Sequence, residues 1–585
     1  MRHSGWLLKF GIGGVQASIA QSRRLRDLAE GSKFIVSAVN AAAVKAQELG
    51  AVIVTPAGAA DGNPCGNHLV VEWREAKKAV SELAAEMATS ARSTWVMPGA
   101  GVGRDGQSQA DRVALEHLEQ AMELWWVATP LPADDPRAWA EAYNTLALLA
   151  LDRRWTRSFS QLTPLPGGAA TCLQCGVRPR LQRASVAAAK AYLSEDEEPC
   201  AVCLTRRVAS FGSQQDATPS TVLIARAPFQ YHQGFARHRA AFEQSQVSDP
   251  ALKQILSELI SHTVETDEPQ VARKLVELAR QSHPDSPAEI DRAVRAITAL
   301  PPYYAVVMFD GDRIGEWFSG GLSNAGRVDL RSWQQSLSGA LGEFAKRVRK
   351  DLCFPPAKLV YAGGDDGLVF TSLDGLLSLM ARLHAWWHEA MESLPGNERP
   401  TLSLHASVVH VKEPLQAVLA RGRQDLERAK DVADRDCLSL LVDPRGGAPS
   451  SFAAKWSELE LIRDALDWFQ QSASGRVGHT LLERSAAFFD TRIGANGLPV
   501  LQSNDAWLRE LDLCVSRSER GPGSEAWSRV RGWMSHRVSA AWLQDTSDGV
   551  PRPTPWQSVA DGLQVVLFLA RQLKAIEGAA KGGTP

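Results

Sequence analysis

Apolar and polar positions alternate through GWLLKFGIGGVQ, residues 5–16, which predicts a strand ending in a glycine turn. The spacing then becomes helical over AQSRRLRDLAEGSKFIVSAVNAAAVKAQEL, with a break expected at Gly31. AVIVTPAG and NHLVVEW read as two strands joined by the turn-rich AADGNPCG, and 74–92 and 108–127 read as helices. This order of a strand, a helix, two strands and a helix predicts an α+β layer close to a ferredoxin-like fold.

A similar order returns later in the chain. YYAVVMFDGDRIGEWF predicts a buried strand, a turn and a helix start, followed by a helix over 329–350. KLVYAGGDDGLVF predicts a hairpin, 374–395 a helix, TLSLHASVVHV a strand, PLQAVLARGRQDLERAKDVA a helix and CLSLLVD a strand. Between the two units, 163–213 is rich in Cys, Pro, Gly and Arg, and 235–298 is helical, with a helix start around Pro287 and Glu289. From Ala453 to about Ile576 the chain is helical and Trp-rich, and its tryptophans are expected mainly in the core.

The expected fold class is therefore α+β multidomain, with two ferredoxin-like units, a cysteine-bearing element and helical domains. The expected boundaries are 1–162 for the first α+β unit, 163–215 for the cysteine element and 216–298 for a helical linker. The second α+β unit is expected over 299–448 and a helical bundle over 449–585. A length of 585 residues suits about four domains.

Lys plus Arg number 64 against 66 Asp plus Glu, so bulk charge gives no footprint for nonspecific nucleic-acid binding. Any polyanion contact must be local or made by partner subunits. No run approaches the roughly 18 apolar residues of a membrane span, and the N-terminus lacks a signal-peptide pattern, so a cytoplasmic location is expected.

Two adjacent aspartates, Asp365 and Asp366, follow Gly363 and Gly364 between apolar runs. Adjacent carboxylates repel, and a hairpin turn needs one acidic residue at most. Asp310, at the end of a buried strand, supplies a third carboxylate, and Asp312 follows after one glycine. Carboxylates from neighbouring strand ends suit Mg²⁺ or Mn²⁺, and a pair of such ions suits transfer to a 3′-hydroxyl with departure of pyrophosphate. The glycines Gly311, Gly315, Gly363 and Gly364 would let a triphosphate approach the backbone.

Cys172 and Cys175, then Cys200 and Cys203, form two CxxC pairs, the pattern of a closed structural Zn²⁺ site. Cys65, Cys353, Cys437 and Cys514 are isolated and expected to be buried packing residues. His384 and His388 stand at i and i+4, but no glutamate separates them as in HExxH. Their neighbours Trp386 and Trp387 point to a packed helix rather than a metal site. Arg23, Arg24 and Arg26 read as a solvated basic helix face as readily as a phosphate contact.

The string FGIGGVQASIAQSRRLRDLAEGSKFIVS resembles the opening of the first Palm domain in the large, Cas-ten-family subunit of type III-B (Cmr) CRISPR effector complexes. YYAVVMFDGDRIGEWFSG, YAGGDDGLVF and SLHASVVHVKEPLQAVL resemble its second, catalytic Palm domain. The four cysteines match its zinc element. The resemblance implies a target-RNA-activated nucleotidyltransferase that converts ATP to cyclic oligoadenylate, working with the other effector subunits, crRNA and target RNA. It implies metal and triphosphate contacts for Asp310, Asp365 and Asp366, and nucleotide contacts for Gln16, Gly31, Ser32 and Lys430. Two positions depart from the family string: Gly14 stands for its proline and Ala29 for its tryptophan. There is no His-Asp dipeptide, so no HD-type DNase activity is expected. The competing expectations are a catalytically silent scaffold subunit and a Palm enzyme making a different product, such as a diguanylate cyclase acting on GTP.

Overall fold

Strand β1 (Gly5–Gly13) runs through the middle of the first sheet, whose order is β2 (Val52–Thr55), β3 (His68–Trp73), β1, β4 (Glu123–Leu131), all antiparallel. The computed structural model describes residues 5–61, 66–74, 79–99, 116–131, 135–156, 170–181, 197–212, 218–238, 295–297, 299–322, 329–353, 356–471, 525–540, 549–553 and 555–581, with a few isolated positions. Leu8, Phe10 and Ile12 of β1 point to one face, where helices α2 (Leu25–Glu48) and α3 (Val80–Gly99) cover them; α1 (Val15–Ala20) leads into α2.

Two expectations fail in this unit. Helix α2 runs unbroken through Gly31, because one interior glycine costs a helix only ~1 kcal/mol. A side chain at Gly31 would meet the buried Arg206, its Cβ 3.2 Å from Nε, so the glycine serves packing. The helix expected over 108–127 is seen over 116–119 but ends there, and Glu123–Leu131 form β4 instead, with Trp125 facing in and Trp126 out. Aromatic residues suit a pleated surface, and Pro130 is tolerated because β4 is an edge strand. Residues 101–115 lie outside the described residues.

Helices α4 (Pro136–Trp155), α5 (Ala201–Gly212) and α6 (Thr221–Tyr231) precede the second sheet. That sheet has the order β10 (Ser450–Lys455), β9 (Cys437–Asp443), β8 (Leu402–His410), β5 (Tyr303–Gly311), β7 (Asp366–Thr371), β6 (Ala357–Ala362). The four strands β6-β7-β5-β8 repeat the order of the first sheet, and β9 adds in parallel beside β8. Ala305, Val307 and Phe309 of β5 face α8 (Leu330–Asp351) and α9 (Leu376–Met391), while α7 (Ile314–Ser319) follows the strand. Tyr304, Val306 and Met308 face the other way, toward α10 (Leu415–Val432) and the start of α2. Alternation therefore puts Asp310 on the α10 side. Strand β10 was expected as the start of the helical bundle. It pairs with β9 instead, placing Phe452 and Ala454 in the core.

Helix α8 joins the two sheets. Ala57 N–H donates to Ser338 Oγ (2.6 Å), Trp139 Nε1 donates to Gln334 Oε1 (3.0 Å), and Arg331 pairs with Glu72. Behind the second sheet, α11 (Leu459–Gln471), α12 (Glu525–Ser539) and α13 (Pro555–Ala580) pack together, with Trp468, Trp527 and Trp533 buried. Arg537, fully buried there, donates to Glu458 Oε2 (2.7 Å) and the Ala453 carbonyl (2.8 Å). The helix start expected around Pro287, and most of 239–294 and 472–524, lie outside the described residues. Among the described residues no helix is long and apolar enough to cross a membrane.

Candidate active site: an acidic hairpin beside a lysine

Between β6 and β7 the chain turns within Gly363–Asp366, and Gly363 N–H donates to the Asp366 carbonyl (2.8 Å). Gly364 has φ +112°, a conformation open to glycine and rarely to anything else. The Asp366 carboxylate folds over Gly363, where any side chain would overlap it. Strand β7 starts at Asp366, which stands directly opposite Asp310 of β5. Opposed residues of antiparallel strands project to the same face, with Cβ atoms roughly 5 Å apart. Asp365 stays beside them in the turn, its carbonyl accepting from Gly311 N–H (2.8 Å).

Three carboxylates thus form one partly exposed cluster. Desolvation, then the Asp310 charge, pushes Asp365 up to about 6. Desolvation, then Asp365 and Asp310, pushes Asp366 up to about 8. Desolvation also raises Asp310, against the pull of Lys430. Lys430, buried on α10, pairs with Asp310 and with Glu427 (3.0 Å). Arg423, two turns earlier on α10, draws Asp366 downward by its charge. Sequence reasoning missed Arg423. Its signal was the spacing Arg423, Glu427, Lys430 at i, i+4 and i+7, which puts all three on one helix face.

Residues 303–439 match the family described as Cas10/Cmr2, second palm domain. A curated relative, the CRISPR system Cmr subunit Cmr2 of Pyrococcus furiosus, is 28% identical over 196 residues, 30% of this chain and 22% of that protein. The chain thus matches about a fifth of that relative's length. Two solved structures share the fold over 97% of this chain. The type III-B Cmr-beta apo state (12% identity, TM-score 0.61) is covered over 82% of its chain. Cmr-beta bound to cognate target RNA (13% identity, TM-score 0.60) is covered over 83%.

Within the segment that matches this palm model, other expected positions take different parts. Asp312 is buried, and its carboxylate accepts from Thr401 Oγ1 (2.8 Å), Ser403 Oγ (2.8 Å) and Asp436 N–H (3.0 Å). It ties the end of β5 to β8 and to the loop before β9. Gly311 makes room for Trp387 and Ile314, whereas Gly315 is exposed with open space beside it. Gly367, just after the acidic pair, lies opposite Phe309, whose ring occupies the place of any side chain there.

From the first sheet, Gly66 reaches the acidic turn: a Cβ on it would lie 3.5 Å from the Gly363 carbonyl oxygen. Gly31 and Ser32 are both buried inside α2, Gly31 against Arg206. Gln16 lies in α1, with its side chain outside those described. Gly14 has φ +66°, which the proline of the family string could not adopt.

The sulfur atoms of Cys172, Cys175, Cys200 and Cys203 lie within 4.8 Å of one another and could hold a metal ion. Gln174 N–H donates to Cys172 Sγ (3.4 Å) and Gly176 turns at φ +66°. The second cysteine pair sits at the start of α5. That helix is anchored by the fully buried Arg207, which donates to both Asp27 oxygens (2.8 and 2.7 Å) and to Glu197 (2.8 Å). Arg24 also pairs with Glu197 (2.8 Å). Cys437 is buried as expected, while Cys353 is exposed at the end of α8, contrary to expectation; Cys65 and Cys514 lie outside the described residues.

Proposed function

We propose that this chain is the large subunit of a type III CRISPR effector complex. On target-RNA recognition it would join ATP molecules through 3′–5′ linkages and close them into cyclic oligoadenylate. The observation that carries this reading is the opposition of Asp310 and Asp366, with Asp365 in the turn between strands and Lys430 behind. Three carboxylates whose charge is disfavoured by burial and by one another are a binding site for positive charge. Their all-oxygen donor set fits Mg²⁺ or Mn²⁺ rather than a soft metal. Such ions, when bound by Asp310, Asp365 and Asp366, supply the charge that activates a 3′-hydroxyl and offsets a triphosphate.

The chain's own residues position the reactants. Gly364 leaves its part of the turn free of a side chain, and Gly363 leaves room for the Asp366 carboxylate. Lys430 orients Asp310 and adds positive charge near the phosphates, and Arg423 adds a second cation on the same helix face. The 3′-oxygen of one ATP bonds to the α-phosphorus of the next as the bond to pyrophosphate breaks, and the hydroxyl proton passes to solvent. Catalysis then rests on alignment and charge compensation. The contact of Gly66 with the turn supports a site shared by both palms, with the first palm presenting a second nucleotide. The four cysteines would hold structural Zn²⁺, leaving no open coordination position.

Incubation of the assembled complex with ATP, Mg²⁺ and target RNA tests the reading. Adenylate product is expected from the wild type and a loss of at least ~100-fold from Asp365→Ala/Asp366→Ala. No product, or equal product from the variant, sinks it and leaves the scaffold reading. A GTP product would favour the diguanylate cyclase, yet Phe309 over Gly367 leaves no room for the phenylalanine that the GGDEF-type hairpin places there.

A further inference from the structure

Helix α9 buries Trp386 and Trp387 as its pattern predicts, but its two histidines face elsewhere. His384 Nε2 and His388 Nε2 approach to 3.0 Å on the outer side of the helix. A carboxylate 48 residues later in the chain joins them: Asp436 Oδ1 lies 3.6 Å from His384 Nε2. That oxygen is sealed from solvent and accepts no hydrogen bond. All three ligand atoms fall within 4.8 Å of one another.

We infer that His384, His388 and Asp436 form a transition-metal site, of the kind that takes Zn²⁺, separate from both the cysteine cluster and the acidic hairpin. A tetrahedral Zn²⁺ with bonds of about 2.0–2.2 Å holds neighbouring ligand atoms about 3.3–3.5 Å apart. The observed 3.0 and 3.6 Å bracket that range. Two imidazole nitrogens and one carboxylate oxygen are an N/O donor set for zinc, and three protein ligands leave the fourth position to water or an incoming group.

The surroundings are built to hold the ligands. His384 stacks on Trp456 (4.0 Å between centroids, 22° between planes), and Trp456 Nε1 donates to the Leu402 carbonyl (3.1 Å). Asp436 ends three successive residues at positive φ, Asp434, Arg435 and Asp436, at 49°, 54° and 42°. Aspartate enters this region more readily than most residues, but as single residues, so three non-glycine residues in succession are unusual. The same residue's N–H donates to Asp312 Oδ2 (3.0 Å), two residues from Asp310. A metal here pins the loop between α10 and β9 to α9, and through Asp312 holds the end of β5. This inference does not depend on the nucleotidyltransferase reading.

Zinc counting on the full chain tests it, with excess Mg²⁺ present and Zn²⁺ supplied by dialysis at low micromolar concentration. Two zinc ions per chain are expected in the wild type and in Asp365→Asn/Asp366→Asn, and one in His388→Ala. His388 is exposed, so its loss should leave the fold intact. Cobalt substitution checks this: the thiolate-to-cobalt band of the cysteine site should persist in His388→Ala while the second, thiolate-free cobalt spectrum disappears. A zinc count equal in wild type and His388→Ala overturns the inference. So does a second zinc that survives His384→Asn/His388→Ala or is lost in Asp365→Asn/Asp366→Asn.

Discussion

Asp310 and Asp366 face each other across β5 and β7, so two carboxylates are held on one side of the sheet with a third in the adjoining turn. Backbone pairing fixes how far apart their Cβ atoms stand, so side-chain rotation can relieve the repulsion only in part.

That arrangement links stability to pH. Asp365 and Asp366 titrate at about 6 and about 8 in the fold, against about 4 for an ordinary carboxylate. The folded state therefore binds protons more tightly than the unfolded state between about pH 4 and pH 8, and stability contributed below pH 4 is lost as pH rises through that window. In divalent-free buffer, the thermal midpoint of the wild type should fall relative to Asp365→Asn/Asp366→Asn from pH 5 to pH 8. Mg²⁺ should reduce the difference. Parallel melting curves at each pH check it, and a gap that does not change with pH contradicts it.

Lys430 is buried and its ammonium is held above its usual range, despite desolvation, by Asp310 and Glu427. Lys430→Met should leave Asp310 without this partner, at a cost of roughly 1–3 kcal/mol because Asp310 is partly exposed. Urea unfolding reads the cost. Nucleotide turnover should fall further than the stability loss explains.

Gly367→Ala places a methyl group where the Phe309 ring lies. Overpacking of this kind costs roughly 1–3 kcal/mol. Displacing the buried ring strains β5 beside it, so Asp310 should shift from Asp366, and Mg²⁺ affinity should fall along with the melting midpoint. A folded variant with unchanged Mg²⁺ affinity would show that the hairpin tolerates the displacement.

Arg207 makes two bonds to Asp27 with both side chains buried. Removing one partner of a buried pair costs roughly 3–5 kcal/mol. Arg207→Met should therefore loosen the cysteine element from α2, seen as faster proteolytic cleavage between residues 170 and 212 while the second palm persists. Uniform protection would place the anchor elsewhere.

Much of this was legible in the chain. The alternation in β1 and β5 and the helical spacing of α8 and α10 come from local burial, and local burial leaves a period. The two CxxC pairs were visible because a thiolate turn needs its ligands close in sequence. Strand β4 was missed because its two adjacent tryptophans suit a helix face as well as a pleat. Gly31 was misread because a glycine that makes room for Arg206 looks in sequence like one that ends a helix.

What the sequence by itself determined is which residues carry charge beside glycine, where apolar runs begin and stop, and which cysteines come in pairs. Tertiary structure alone decided that Asp366 stands opposite Asp310, that Asp312 turns inward to Ser403 and Thr401, and that Asp436 meets His384. Strand register and loop closure depend on free energies summed over many distant contacts, and no local period records which two residues such a sum will bring together.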